Sequence, residues 1–326
     1  METTLTRTGT EGKTWGGGNE PLKASYGKLM MWVFLLSDSL TFSGFLAAYG
    51  FARYMHSHTW PIADEVFNHF PFLHGVDAPM YYVALMTFIL IFSSVTMVLA
   101  VDAGNKMNKN KVATYMALTI LGGLVFLGSQ AWEWKNFITG TYGAVETRGG
   151  NILQFLNTDG ERVALADFVT ASATDRTHHS SNNGIWFTDE PDLPSYSIED
   201  VIAGFNANPD LLVRTTENIG VHEKRVLSRS ASIAKLEAEA VAVVEGANLK
   251  RNEYGPKLFG GYFFFITGFH GFHVSIGILL NIIIFANVLI GTYERRGSYE
   301  MVEKVGLYWH FVDLVWVFVF TFFYLV

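Results

Sequence analysis

The chain has 326 residues, of which 50% are hydrophobic and only 16% charged, a balance typical of membrane spans joined to one polar segment. The formal net charge of −7 excludes the basic face that a nucleic-acid partner would need. The absence of cysteine excludes disulfides, iron–sulfur clusters and thiolate-bound metals, so any metal would need His and carboxylate ligands.

The first 27 residues are polar and rich in glycine, and they lack the apolar stretch of a cleavable signal peptide. Five apolar stretches follow, each with the roughly 20 residues that a helix needs to cross a bilayer. They run between Lys28 and Arg53, between Asp77 and Asp102, from Lys111 to about Phe137, from Leu258 to Tyr293, and from about Lys304 to Val326. The sequence therefore predicts spans 1–3 in residues 28–140 and spans 4–5 in residues 258–326.

Lysine and arginine are concentrated before the first predicted span and in the second and fourth connections. By the positive-inside rule these segments lie on the cytoplasmic side. The N-terminus is then predicted to be cytoplasmic, and the C-terminus and the third connection to lie outside.

The third connection, residues 141–257, is far too long for an ordinary loop, so it should be a folded external domain. One helix is predicted from Ser230 to Glu245, with Gly246 as its stop. The earlier part has several turn signals and is predicted to be irregular with short strands. Residues 138–257 contain 17 acidic and 11 basic residues, a net charge of −6. That charge suits a basic soluble cytochrome or a docking partner, and it equally suits a solvated surface.

Charged side chains inside a span are costly and need polar partners, about 2.5 kcal/mol or more each. Asp38 is ten residues past Lys28 and so about 15 Å deep, near mid-membrane. Asp313 is predicted at nearly the same depth on the fifth span, with His310 one turn below it. We expect Asp38 to bond to the imidazole of His273 or His310, or to share a proton with Asp313.

The fourth span carries His270 and His273 on one helical face, while Gly268 and Gly271 let another helix approach. These imidazoles, with His310, Asp313 and Glu133 on other spans, suggest either a metal site or buried polar groups that bond between helices. The second interpretation is favoured because the doubled Glu-x-x-His pattern of di-iron bundles is missing. Glu133 is also expected near the outer surface, far from His310.

Five runs within these stretches form a recognisable set: YFFFITGFHGFHVSIG at 262–277, YWHFVDLVWVFVF at 308–320, MWVFLLSD at 31–38, SSVTMVLA at 93–100 and GGLVFLGSQAWEW at 122–134. Together they resemble subunit III of cytochrome c oxidase, a haem-copper terminal oxidase. The first run adds Gly277 to the glycines expected at helix contacts. The runs touch all five predicted spans in order, and the chain is similar to a five-span form of the family.

The resemblance implies an all-α membrane protein whose five helices form two groups around a lipid-binding cleft, with the mixed external domain added. It implies a non-catalytic subunit of a proton-pumping oxidase in aerobic respiration, in a bacterial inner membrane. Such a subunit packs against the catalytic subunit I and against subunit II, which carry the haem and copper. It binds structural phospholipids, holds no redox centre of its own, and supports proton uptake and active-site stability.

Two features depart from the family pattern. Asp38 stands where the family usually has Glu, and residues 149–248 form an external insertion, a candidate site for a cytochrome c or another respiratory complex in a supercomplex. Two alternatives stay open: subunit III of a quinol oxidase or nitric oxide reductase, and a membrane metalloenzyme that uses the histidines.

Overall fold

A computed structural model describes residues 24–57, 59–71, 80–172, 180–182, 187–189, 194–215, 225–248 and 250–325. Five of its helices are long and apolar enough to cross a membrane. They are α1 (Tyr26–Met55), α3 (Tyr81–Asn105), α4 (Lys109–Thr139), α8 (Lys257–Leu289) and α10 (Glu300–Phe320), which continues as a π-helical turn over Thr321–Leu325. The predicted number and order of membrane spans are confirmed.

The fourth predicted span is shorter in the structure than its apolar stretch. Helix α8 ends at Leu289, and a separate five-residue helix, α9 (Thr292–Arg296), follows it. Gly291 and Gly297 flank α9 with φ values of 77° and 66°, in the left-handed region that glycine adopts without steric cost. The two glycines therefore separate α9 from the long helices, and the apolar stretch does not form one straight span.

The segment between α4 and α8 contains a five-stranded antiparallel sheet. Its strands are β1 (Ala144–Thr147), β2 (Ile152–Leu156), β5 (Leu212–Thr215), β6 (Arg225–Val226) and β7 (Ala240–Val244), in the order β6-β5-β2-β1-β7. A separate hairpin pairs β3 (Ser180–Asn182) with β4 (Phe187–Asp189). The remaining short helices are α2 (Ala63–Val66), α5 (Leu165–Phe168), α6 (Ile198–Ala207) and α7 (Arg229–Glu239). The predicted mixed insertion is confirmed, with more regular sheet than the turn signals suggested.

The core of this segment follows from strand alternation. Inward residues of the sheet pack with apolar residues of α6 and α7, and all are buried. They include Val145, Leu153, Phe155 and Val213 from the strands and Val201, Phe205 and Leu236 from the helices. Ser197 caps α6 by accepting a hydrogen bond from the Asp200 backbone N–H, and the Asp200 side chain accepts from the Ser197 N–H in return. One sheet face and two helices thus make a small core of their own.

The predicted helix from Ser230 to Glu245 is wrong in its second half. Helix α7 ends at Glu239, and residues 240–244 form β7, which pairs with β1. The run AVAVV fits a helical period and strand alternation equally well, and hydrogen bonding to β1 stabilises the strand. Gly246 does end the element, in a left-handed conformation with φ of 65°.

The chain divides into two compact units, which are described separately below. The helical unit comprises Met1–Ala48, Val83–Gln130 and Ile266–Val326. The sheet unit comprises Tyr49–Tyr82 and Ala131–Phe265.

Candidate functional site

Within the helical unit, Asp38 of α1 lies beside His273 of α8. His273 Nε2 is 3.1 Å from Asp38 Oδ2, and both side chains are largely buried. The distance is that of an ion pair, although Oδ2 lacks a hydrogen bond of good geometry. An imidazole is therefore the neighbour of Asp38, as the sequence led us to expect, and it comes from His273.

His273 also makes a hydrogen bond within its own helix. His273 Nδ1 lies 2.8 Å from the Phe269 carbonyl oxygen, and because a carbonyl only accepts, Nδ1 carries a proton. The other ring nitrogen, Nε2, is the one that faces Asp38.

His270 is enclosed by the helical unit. Its Nε2 donates to the Val312 carbonyl oxygen of α10 at 3.0 Å, and its ring packs against Phe126 and Trp316. The side chain is 1% exposed. This contact links α8 to α10, and the other ring nitrogen, Nδ1, makes no hydrogen bond among the described residues.

His310 and Asp313 of α10 meet Ser94 of α3. His310 Nδ1 is 2.6 Å from Ser94 Oγ, and Ser94 is also a polar neighbour of the Asp313 carboxyl. These two residues and the Asp38–His273 pair thus have different partners. The structure does not bring all the predicted polar residues of the spans into one cluster.

Glu133 is buried in the last third of α4, in the sheet unit. Among the residues that the structure describes, no three His, Asp or Glu side chains are close enough to hold a metal ion.

The predicted packing glycines differ in their surroundings. A Cβ added at Gly277 would lie 3.0 Å from two ring atoms of Trp309 and 3.2 Å from Tyr308, whereas at Gly271 it would meet Leu127 at an ordinary 3.9 Å. Gly277 is therefore at a tight contact with α10, and Gly271 is not at one among the described residues.

The sequence interpretation did not predict the role of Ser93, whose hydroxyl group connects several helices. We call this residue the hydroxyl hub. Its Oγ accepts from Trp309 Nε1 at 3.0 Å and donates to the Thr119 carbonyl oxygen at 3.0 Å, so one side chain joins α3, α4 and α10. A single serine in an apolar run gives no sign of its role, because helical serines often bond to their own backbone. The only available signal was its place in the run SSVTMVLA.

Glu253, in the sheet unit, was also missed. It is fully buried, and its carboxylate accepts backbone N–H groups of Thr141, Tyr142, Gly143 and Gly246 at 2.6–3.4 Å. This carboxylate therefore connects residues 141–143, which precede β1, to Gly246, which follows β7. We call it the Glu253 clasp. Its sequence context, a turn-rich NEYGP, suggested only a loop.

Sequence comparison identifies the region that contains α8, α9 and α10. Residues 253–326 match the family model described as cytochrome c oxidase subunit III. Proteins named cytochrome c oxidase subunit 3 are 42% identical over 64 residues in Marchantia polymorpha and 44% over 69 residues in Synechocystis. A probable cytochrome c oxidase subunit 3 of Rickettsia conorii is 41% identical over 69 residues.

These matches cover 20–21% of this chain and 24–29% of the three relatives. The chain thus spans about a quarter of the length of the curated relatives it matches. The matched region contains His270, His273, His310 and Asp313, whereas Asp38, Glu133 and the strands of the external sheet lie outside it. The resemblance to the subunit III family noted in the sequence is confirmed through this C-terminal region.

Proposed function

We propose that this chain, whose C-terminal helices carry the cytochrome c oxidase subunit III sequence, is the non-catalytic third subunit of a proton-pumping haem-copper oxidase. One observation carries the proposal: the family match falls on α8 to α10, and these belong to a chain with five candidate membrane helices. The partners would be the catalytic subunit I and subunit II, which hold the haem and copper. The N-terminus would face the cytoplasm, and the sheet would face the periplasm.

The surroundings of the histidines support a role without a redox centre. His270 donates to a backbone carbonyl, His273 lies against Asp38, and the Nδ1 atom of His310 contacts Ser94. Each imidazole has a separate partner, which suits links between helices. The separation of these partners makes a histidine-ligated metalloenzyme the less favoured alternative.

Contact with lipid and with a partner subunit is supported by the surface of α1. Large apolar side chains on this helix are exposed, including Trp32 at 55%, Leu36 at 64% and Leu40 at 68%. A membrane or another transmembrane subunit would cover them. Structural phospholipid in a cleft between two helix groups would account for part of this surface. The largely buried contact between Asp38 and His273 in the same unit suits a role in sustaining proton uptake.

The external insertion, residues 149–248, would bind a basic partner, such as a cytochrome c or another respiratory complex. Its support is the net charge of −6 over residues 138–257. Deleting the insertion should slow turnover with a soluble basic donor or weaken association with other complexes. An unchanged result in both assays would discard this part of the proposal.

Purification through a tag on this chain tests the main proposal. In mild detergent we expect a haem-bearing subunit in stoichiometric amount, identified by mass spectrometry and by its optical spectrum. The chain purified alone should contain neither haem nor stoichiometric copper. A stoichiometric redox metal in the isolated chain would overturn the proposal. A dinuclear copper site in the neighbouring subunit distinguishes a cytochrome c oxidase from a quinol oxidase or nitric oxide reductase.

A further inference from the structure

The sheet unit buries the guanidinium group of Arg162, which lacks a hydrogen-bond partner in the described part of the chain. Arg162 follows β2, and its backbone forms an isolated antiparallel β-bridge with Leu156. The Cζ atom of its guanidinium lies 4.3 Å from the centre of the Tyr142 ring. Its three side-chain nitrogens are inaccessible to solvent, and none makes a hydrogen bond to any residue that the structure describes. A guanidinium has five N–H donors, and leaving them unsatisfied in a protein interior is costly.

Two carboxylates are near this guanidinium without being in contact with it. Glu253 and Glu65 both interact electrostatically with Arg162, but neither is in direct ion-pair contact with it in the described part of the chain. Each carboxylate has its own direct partners. Glu253 accepts the backbone N–H groups of the clasp, and Glu65 pairs with Arg214 at 3.0 Å. Opposite charges separated by more than contact distance are the usual setting for a bridging water.

The Tyr254 hydroxyl is a second buried polar group that needs a hydrogen-bond partner. The Tyr254 side chain is buried, and its hydroxyl makes no hydrogen bond of good geometry among the described residues, although Thr141 and Glu253 are polar neighbours. Burial raises the pKa of Tyr254 well above its ordinary value, so the hydroxyl stays protonated and can donate. Burial also lowers the pKa of Arg162, and Glu253 and Glu65 oppose that shift, so the guanidinium keeps its charge.

We propose that ordered water in the sheet unit bridges the guanidinium of Arg162 to the Tyr254 hydroxyl and to the carboxylates of Glu65 and Glu253. Water fits the chemistry better than an anion, because two carboxylates act electrostatically on this guanidinium. Buried water commonly makes about three hydrogen bonds to polar groups that would otherwise be unsatisfied. The site would link Glu65 of α2 to Arg162 through solvent instead of through a direct ion pair.

An electron cryomicroscopy map of the whole oxidase complex that shows ordered water tests the proposal directly. We expect water density within hydrogen-bond distance of Arg162 and of the Tyr254 hydroxyl. A direct ion pair of Arg162 with Glu65 or Glu253, or an Arg162 side chain turned to solvent, would overturn the proposal. Density that is larger than water and excludes the carboxylates would also overturn it.

A double-mutant cycle in the complex gives an independent measurement. Arg162→Met and Tyr254→Phe each remove one end of the bridge and keep most of the side-chain volume. Each should lower the unfolding midpoint of the sheet unit by about 2–4 °C, and the double variant should lose clearly less than the sum. Strict additivity would contradict a shared water.

A matched control is available on the surface of the same unit. Arg251 Nε pairs directly with Glu146 at 2.8 Å, and both side chains are partly exposed. Arg251→Met with Glu146→Gln should show little coupling and no associated ordered water. If Arg162→Met prevents folding, Tyr254→Phe still decides, because the loss of the bridging water density in that variant is expected and its persistence unchanged would contradict the proposal.

Discussion

The helical unit and the sheet unit satisfy their buried polar groups in different ways. In the helical unit a buried polar side chain makes hydrogen bonds to one or two partners on neighbouring helices, as His270 and Ser93 do. In the sheet unit one carboxylate, Glu253, accepts four backbone N–H groups. Links in the helical unit are therefore individually small, whereas in the sheet unit one buried carboxylate holds several backbone groups at once.

The largest loss of stability is expected from Glu253→Gln. The substitution removes the charge and turns one acceptor atom into a donor that faces backbone N–H groups, at a cost of about 3 kcal/mol or more. Hydrogen exchange in the assembled complex should rise around residues 140–156 and 240–253, with the helical unit unchanged. Glu146→Gln, which breaks a partly exposed ion pair, is the control and should change little. Unaltered exchange near Gly246 would show that the clasp is unimportant.

A smaller effect is expected at a helix contact. Gly277→Ala places a Cβ 3.0 Å from Trp309 and should cost about 1–3 kcal/mol by overpacking, which lowers the yield of assembled complex. Gly271→Ala, on the same helix, has ordinary room and should assemble normally. Equal yields of the two variants would contradict the tight contact between α8 and α10.

The smallest effect should come from the hydroxyl hub. Ser93→Ala leaves the Trp309 N–H and the Thr119 carbonyl without this partner, and hydrogen bonds between membrane helices average about 0.6 kcal/mol. We expect a slightly lower thermal midpoint of the complex. Ser275→Ala is the control, because its hydroxyl bonds only to the Gly271 carbonyl oxygen of its own helix and is exposed. If Ser93→Ala lowered stability as much as Glu253→Gln, the proposed difference between the helical unit and the sheet unit would be contradicted.

The contrast also separates what the sequence could predict from what it could not. The five spans and the proximity of Asp38 to an imidazole follow from apolar length and from the cost of a membrane charge. The choice of His273 over His310 does not follow, because it depends on how α8 and α10 rotate against α1. The strand at 240–244 and the role of Glu253 depend on pairing with distant β1 and with residues 141–143, which no local pattern records.

The central claim is that this chain holds no catalytic centre, and His270 tests it most directly. His270→Phe keeps an aromatic ring between Phe126 and Trp316 and removes the hydrogen bond to Val312. Oxygen consumption should be measured per haem in the purified, assembled complex. We predict turnover within about twofold of the unaltered complex, with a lower yield of assembly because one interhelical bond is lost. Complete loss of turnover in a fully assembled complex with normal haem content would contradict the account.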